Sequence, residues 1–431
     1  MLMKFALVVL FFCAGVVCGQ HPSAAEFNLF CRILAEANNM MYGPDYVYDE
    51  NLDREIIKEM TVLYNATTGD MDDFRKTLWD TKDFFEEHPP PTHSESRKRA
   101  HREIGNLIKK GEEKIEENKK IAEKVNEKFN EAKLSVAKGL YGEHVTEVPK
   151  DDKNLTEILT NTSSIFGHNT SAKDSCGNGG ANEAGKTLIN DLFCVCAGEG
   201  LEAERPCHPK IWPPKSWKDK GQGSWTLIKF GSVGTPTLVP SFNESFQKIE
   251  HVCREEMMAN DVNSKDMTAL LREYVEMIGM GNKKTKKDKK IFGHSERNKG
   301  NKGANQVEEC TGTGSNDNFD GPEKHNNNIC VDYSHNLKDE KTKTYNITWH
   351  EKFKNYTKIM QDAKKIEERI LKNRAALLLL KSQAWVAYSR EKDDETSNLD
   401  DMNVSHLFDA TQLPPSFPFP FLLFLFLFLI S

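Results

Sequence analysis

The chain has 431 residues, 29% of them charged, and a formal net charge of −7. An acidic balance without a broad cationic field excludes a general nucleic-acid binder. The length allows a sizeable core and as many as two or three domains.

Residues 1–19 open with Lys4, continue as FALVVLFFCAGVV and end in Val17, Cys18 and Gly19. A charged start, a short apolar core and small residues before the cut predict a secretory signal peptide, removed ahead of Gln20. Residues 24–41 read as a helix with Phe27, Phe30, Leu34 and Ala37 on one face. Residues 53–64 and 70–85 read as further helices, and Pro89, Pro90 and Pro91 break the chain after them.

Residues 94–140 carry a sustained heptad pattern. Its seam is Ile104, Ile108, Gly111, Ile115, Asn118, Ala122, Val125, Phe129, Ala132, Val136 and Gly139. The steps alternate four and three, the period of a left-handed coiled coil. Lys and Glu fill the outer face, as in EEKIEENKKIAEKVNEKFNEAK.

The stretch 142–345 differs. It is rich in Gly, Asn, Pro and Thr and holds seven of the eight cysteines left after signal removal. Helices are expected at 181–196, 241–260 and 264–280, and strand character at 224–230. Residues 282–305 are rich in Lys, Asn and Gly and predict a solvated loop. The basic runs RKRAHR at 97–102 and KKTKKDKK at 283–290 read as solvated surface on a secreted chain.

A second heptad segment covers 349–392. Its seam is Tyr356, Ile359, Ala363, Ile366, Ile370, Asn373, Leu377, Leu380, Ala384 and Ala387. Each helix of about 45 residues is about 65 Å long. Neither hides its apolar stripe alone, so the two are expected to pack together. The fold class is therefore mainly α: a long antiparallel coiled-coil helical hairpin, with a disulfide-rich, loop-rich lobe inserted between the two long helices. Asn118 and Asn373 occupy seam positions. Either they meet and set register at some cost in stability, or they form a wet, loosely packed layer, the simpler reading from one chain.

Residues 393–409 form a polar linker, and 410–431 end in FPFPFLLFLFLFLI and Ser431. No charge follows Asp409. An apolar run of ten to fourteen residues spans about 15–21 Å as helix, short of the ~30 Å of a bilayer core. The tail predicts a GPI-attachment signal that is removed. Attachment is expected at Asp409, ahead of small Ala410 and Thr411, with Ser405 and Asn403 as alternatives.

Cys13 and Cys18 leave with the signal peptide. The remaining cysteines, Cys31, Cys176, Cys194, Cys196, Cys207, Cys253, Cys310 and Cys330, are even in number on a secreted chain. They predict up to four disulfides, with about 105 connectivities open. Cys194 and Cys196 are expected to take different partners. Eight N-x-S/T sequons agree with the secretory route: Asn65, Asn154, Asn161, Asn169, Asn243, Asn346, Asn355 and Asn403. Only some are expected to be used.

Chemistry is sparse. Zinc on Cys194, Cys196, Cys207 and His208 is disfavoured by the C-x-C spacing and the oxidising compartment. Calcium on Asn316, Asn318 and Asp320 is disfavoured because Asn327 stands where a bidentate Glu belongs. No H-E-x-x-H, G-x-S-x-G or P-loop occurs. Neither an enzyme activity nor a cofactor is expected.

The ordered features now carry a resemblance. DLFCVCAG at 191–198 is similar to the D-L-x-C-x-C segment of type B N-terminal domains of African trypanosome variant surface glycoproteins. FNLFCRILAEAN at 27–38 resembles the start of Trypanosoma congolense members. The signal peptide, flanking heptad helices, cysteine-rich lobe, sequons and apolar tail follow the same order. One departure stands out: the last cysteine, Cys330, precedes the second long helix, so the small cysteine-rich C-terminal domain usual in Trypanosoma brucei members has no counterpart. The resemblance implies a homodimeric, GPI-anchored rod on the outer leaflet of the plasma membrane. It also implies a dense coat that meets host antibodies and is exchanged for antigenic variation. A GPI-anchored receptor for a host serum protein on the same helical scaffold is the alternative.

Overall fold

A computed structural model describes residues 21–70, 82–91, 93–177, 183–198, 205–213, 225–232, 234–259, 266–280, 290–295, 307, 309–312 and 328–390. The signal peptide, the linker, the tail and the attachment residues Asp409, Ser405 and Asn403 lie outside the described residues, as does the calcium-like stretch 316–327.

Helix starts follow local capping chemistry. Asp151, Thr187 and Asp266 accept the backbone N–H of Asn154, Asn190 and Ala269 at 2.8, 3.0 and 2.8 Å. Each opens a helix: Asp152–Thr160, Leu188–Cys196 and Met267–Met277. A side-chain acceptor there satisfies one of the orphan donors of the first turn. The first long helix runs Ser94–Tyr141. It ends because Gly142 turns into the left-handed region at φ 105°, where a Cβ would lie 2.5 Å from the Ser164 carbonyl oxygen. The second long helix runs Thr348–Ser389. At about 1.5 Å per residue, the two are about 72 and 63 Å long.

The chain divides into two compact units, and each long helix contributes a segment to both. Of the described residues, the larger comprises 21–50 and those within Ile115–Arg374. In it the two helices run antiparallel: Asn118 meets Asn373, Glu117 meets Arg369, and Ser135 donates to the Lys352 carbonyl at 2.8 Å. Gly139 lets the helices approach closely, since a Cβ there would lie 2.6 Å from Phe353. The segment after the first helix lies along this pair, with the Asn126 amide bonding both the N–H and the carbonyl of Tyr46.

Helix Ala24–Tyr42 packs on Met267–Met277, Phe242–Ala259 and Leu188–Cys196 in the core of this unit. Its apolar face carries Phe27, Phe30, Leu34 and Ala37, all buried. Phe30, Tyr274, Phe292 and Trp349 form one aromatic cluster, and Phe166, Phe193, Trp225 and Phe242 another. The strands are short. Ile211–Trp212, Lys229–Phe230 and Thr237–Leu238 form a three-stranded antiparallel sheet. Ile291–Phe292 pairs with Val331–Asp332, and Leu337–Asp339 with Thr344–Tyr345.

Of the described residues, the smaller unit comprises those within Asn51–Lys114 and those from Ala375 to Arg390. Among the described residues four helical segments pack in it: most of Glu50–Ala66, Lys82–Glu87, and the parts of the two long helices up to Lys114 and from Ala375. Tyr64 stacks on His101 with centroids 3.8 Å apart. Trp385 packs against both Phe84 and His88, and Tyr388 donates to the His88 carbonyl at 2.9 Å. Lys381 pairs with Glu59, and Arg390 with Glu103.

Several expected elements are corrected. The helix expected at 181–196 starts only at Leu188, because Gly185 adopts φ 82° and Thr187 supplies the cap. The stretch expected as a solvated loop, 282–305, contains the strand Ile291–Phe292, whose residues are fully buried. Burial of those two apolar residues outweighs the polar composition around them. The second long helix, expected to run to about 392, is described as helix to Ser389, and 391–392 lie outside the described residues. Of the helix expected at 70–85, residues 71–81 lie outside the described residues; Asp70 is not helical, and 82–85 belong to the helix Lys82–Glu87. The Asn118–Asn373 layer is not a loose one: the Asn373 amide donates to Asn118 at 2.9 Å, and both residues are buried.

Candidate functional site

The site starts from helix Leu188–Cys196, the segment LINDLFCVC. Every residue of it is buried. An amphipathic surface helix leaves one face to water; this one has no such face, so its Asp and Asn must find partners inside. Asp191 is fully buried and accepts from the Gly185 N–H at 2.9 Å, the Asn190 amide at 3.1 Å and the Trp349 indole at 2.7 Å. The Tyr333 hydroxyl also donates to it. Tyr333 in turn bonds the Tyr274 hydroxyl at 2.7 Å. Burial pushes the Asp191 carboxyl up, while the Tyr333, Gly185, Trp349 and Asn190 donors pull it back. Burial likewise raises Tyr333 and Tyr274 well above the usual phenol range.

With four donors converging on it, the Asp191 carboxylate is enclosed in a structural network. It ties the helix to the 183–187 turn, to the loop at Tyr333 and to the first turn of the second long helix. Asn190 extends the tie, donating to the Ser175 carbonyl at 3.1 Å and accepting from the Gly167 N–H.

The cysteines sit around the same helix. Cys194 bonds Cys176 and Cys196 bonds Cys207. Two residues apart on a helix, their side chains leave in different directions, so the two do not bridge each other and each takes its own partner. Cys31 bonds Cys253, joining Ala24–Tyr42 to Phe242–Ala259, and Cys310 bonds Cys330. Cys194, Cys196 and Cys207 therefore offer no thiolate to a metal, and His208 pairs with Glu256 at 3.1 Å.

The sequons are not equivalent. Asn161, Asn346 and Asn355 are exposed. Asn161 ends helix Asp152–Thr160, whereas Asn355 stands on the second long helix and donates to Ser135 at 3.3 Å. Asn65, Asn154, Asn169 and Asn243 are half-buried. Asn243 reaches the Thr156 hydroxyl at 3.4 Å. Thr67, the hydroxyl residue of the Asn65 sequon, is buried and donates to the Leu63 and Tyr64 carbonyls. Asn403 lies outside the described residues.

Residue-by-residue reading of motifs passes over Tyr333, Trp349 and Tyr274. The available signal was Asp191 itself, an acidic residue in an otherwise apolar helix, which demands buried donors from elsewhere in the chain.

Among the described residues, no helix is long and apolar enough to cross a membrane. The family model of the trypanosomal VSG domain matches residues 64–377. No curated protein matches the chain.

Proposed function

The chain belongs to the trypanosomal VSG domain family, and we propose that it forms a dense protective coat on the parasite surface that is exchanged for antigenic variation. The observation that carries this is the family match over residues 64–377, which takes in the first long helix, the disulfide-rich lobe and most of the second long helix. Variant surface glycoproteins are surface coat proteins, not an enzyme family. The physical organisation supports the reading. A heptad seam needs only small or apolar residues at recurring positions, so the helical framework accepts extensive substitution outside it. Four disulfides and the Asp191 network brace a lobe whose connecting loops are free to vary.

The anchor is a GPI lipid attached at Asp409, with Ser405 and Asn403 as the other candidates. Two acyl chains hold a protein stably, whereas one is marginal at about 0.8 kcal/mol per buried methylene. The protein acts as a homodimer on the outer leaflet, where host antibodies meet it. Phospholipase treatment of cells should release it, and the mature C-terminal peptide should end at the attachment residue. Retention of Phe421–Ile430 in the mature mass would sink the anchor. Copy number separates a coat from a receptor: a coat protein dominates the surface, and its depletion exposes underlying proteins to antibody. A scarce protein that captures one serum protein with submicromolar affinity would overturn the coat reading.

A further inference from the structure

A cleft of about 570 Å³ opens in the larger unit between helix Met267–Met277, the hairpin at Thr344–Tyr345 and the first half of the second long helix. This lies within the ~300–1,000 Å³ of small-ligand sites. Its floor is Met267, Leu271, Val275 and Tyr345, buried or half-buried apolar side chains. His350 is also in the floor, but its Nε2 is committed to the Leu271 carbonyl at 3.0 Å, and burial lowers it to about 4. It is therefore neutral there and adds no charge.

The rim is cationic. Arg272, Lys343, Lys354 and Lys358 come from all three walls, and all four are exposed. Among the described residues no Asp or Glu lines the cleft. Lys354 also pairs with Glu351 at 3.1 Å, outside the cleft. Lys343 is held by a built turn. Asp339 accepts from the Lys341 N–H and the Thr342 hydroxyl, and Lys343 itself adopts φ 49°, a region uncommon for a residue with a Cβ. The aliphatic stretch of the floor along Met267, Leu271 and Val275 suits a flexible alkyl chain, and a cationic rim suits a carboxylate at its end.

We propose that this cleft binds a free long-chain carboxylate, with its alkyl chain along Met267, Leu271 and Val275 and its head group among Lys343, Lys358 and Arg272. The proposal stands apart from the coat function and does not depend on it.

Equilibrium dialysis of the purified native protein against radiolabelled palmitate tests it. One palmitate per chain is expected, bound more weakly at high salt and about tenfold more tightly than hexadecanol, which keeps the chain and lacks the charge. The Lys343→Glu/Lys358→Glu variant, altered only at exposed positions, should lose about tenfold in affinity with an unchanged melting temperature. Val275→Trp should block uptake by filling the floor. No saturable uptake, or equal uptake by native and charge-reversed protein, overturns the proposal. So does protection of Lys343 and Lys358 from amine labelling by a second copy of the chain with no palmitate bound.

Discussion

Asp191 and Glu250 show how single acidic residues behave in opposite settings. Asp191 has four donors, so Asp191→Asn keeps the shape but turns an amide N–H₂ toward at least one of them. A buried donor left unpaired costs about 1–3 kcal/mol, and denaturant unfolding should show a loss of that size. Glu250 is half-buried with no comparable set of donors among the described residues, and desolvation raises its carboxyl to about 7, with the Arg254 charge pulling it back. The folded state therefore favours the protonated form. That contribution is fully present below the unfolded value near 4.5 and is lost as pH rises through about 7. Glu250→Gln, which stays neutral, should match the native protein at acid pH. It should be more stable by on the order of 1–3 kcal/mol at about pH 8, read from urea unfolding at the two pH values.

At the scale of elements, the heptads located the helical seam and tertiary contact decided what its unusual members do. Ile104, Ile115, Val125 and Val136 are buried on the first helix, and Ile359, Ile370, Leu377 and Ala384 on the second. Asn118 and Asn373 sit on those seams and bond each other. A buried polar pair tolerates loss of both partners better than loss of one. Asn118→Leu alone should cost about 1–3 kcal/mol, whereas Asn118→Leu/Asn373→Leu should recover most of it. A double-mutant cycle should return a coupling above about 0.5 kcal/mol. Gly139 occupies a seam position that pattern reading treats as merely small. Gly139→Ala would bring a methyl to 2.6 Å from a Phe353 ring carbon, and the helices must separate to admit it. Thermal unfolding should show a loss of about 1–3 kcal/mol, although Ala is the better helix former.

For the whole molecule, the disulfides differ in what they constrain. Cys31–Cys253 closes a separation of 222 residues, against 11 for Cys196–Cys207. Loop-closure entropy grows with the logarithm of loop length, so the long bridge restricts the unfolded chain more. Cys31→Ser/Cys253→Ser should cost about 2–5 kcal/mol and more than Cys196→Ser/Cys207→Ser, measured under non-reducing conditions. The sequence alone determined the two long helices, their antiparallel pairing, the even set of cysteines that forms four disulfides and the family. These follow from local periodicity, composition and motif order, which any stretch of chain carries by itself. The cysteine partners, the donors around Asp191, the buried strand Ile291–Phe292 and the cleft rimmed by Arg272, Lys343, Lys354 and Lys358 were decided only by the tertiary structure. Each depends on residues tens to hundreds of positions apart arriving at one place, and such juxtapositions leave no periodic trace in the chain.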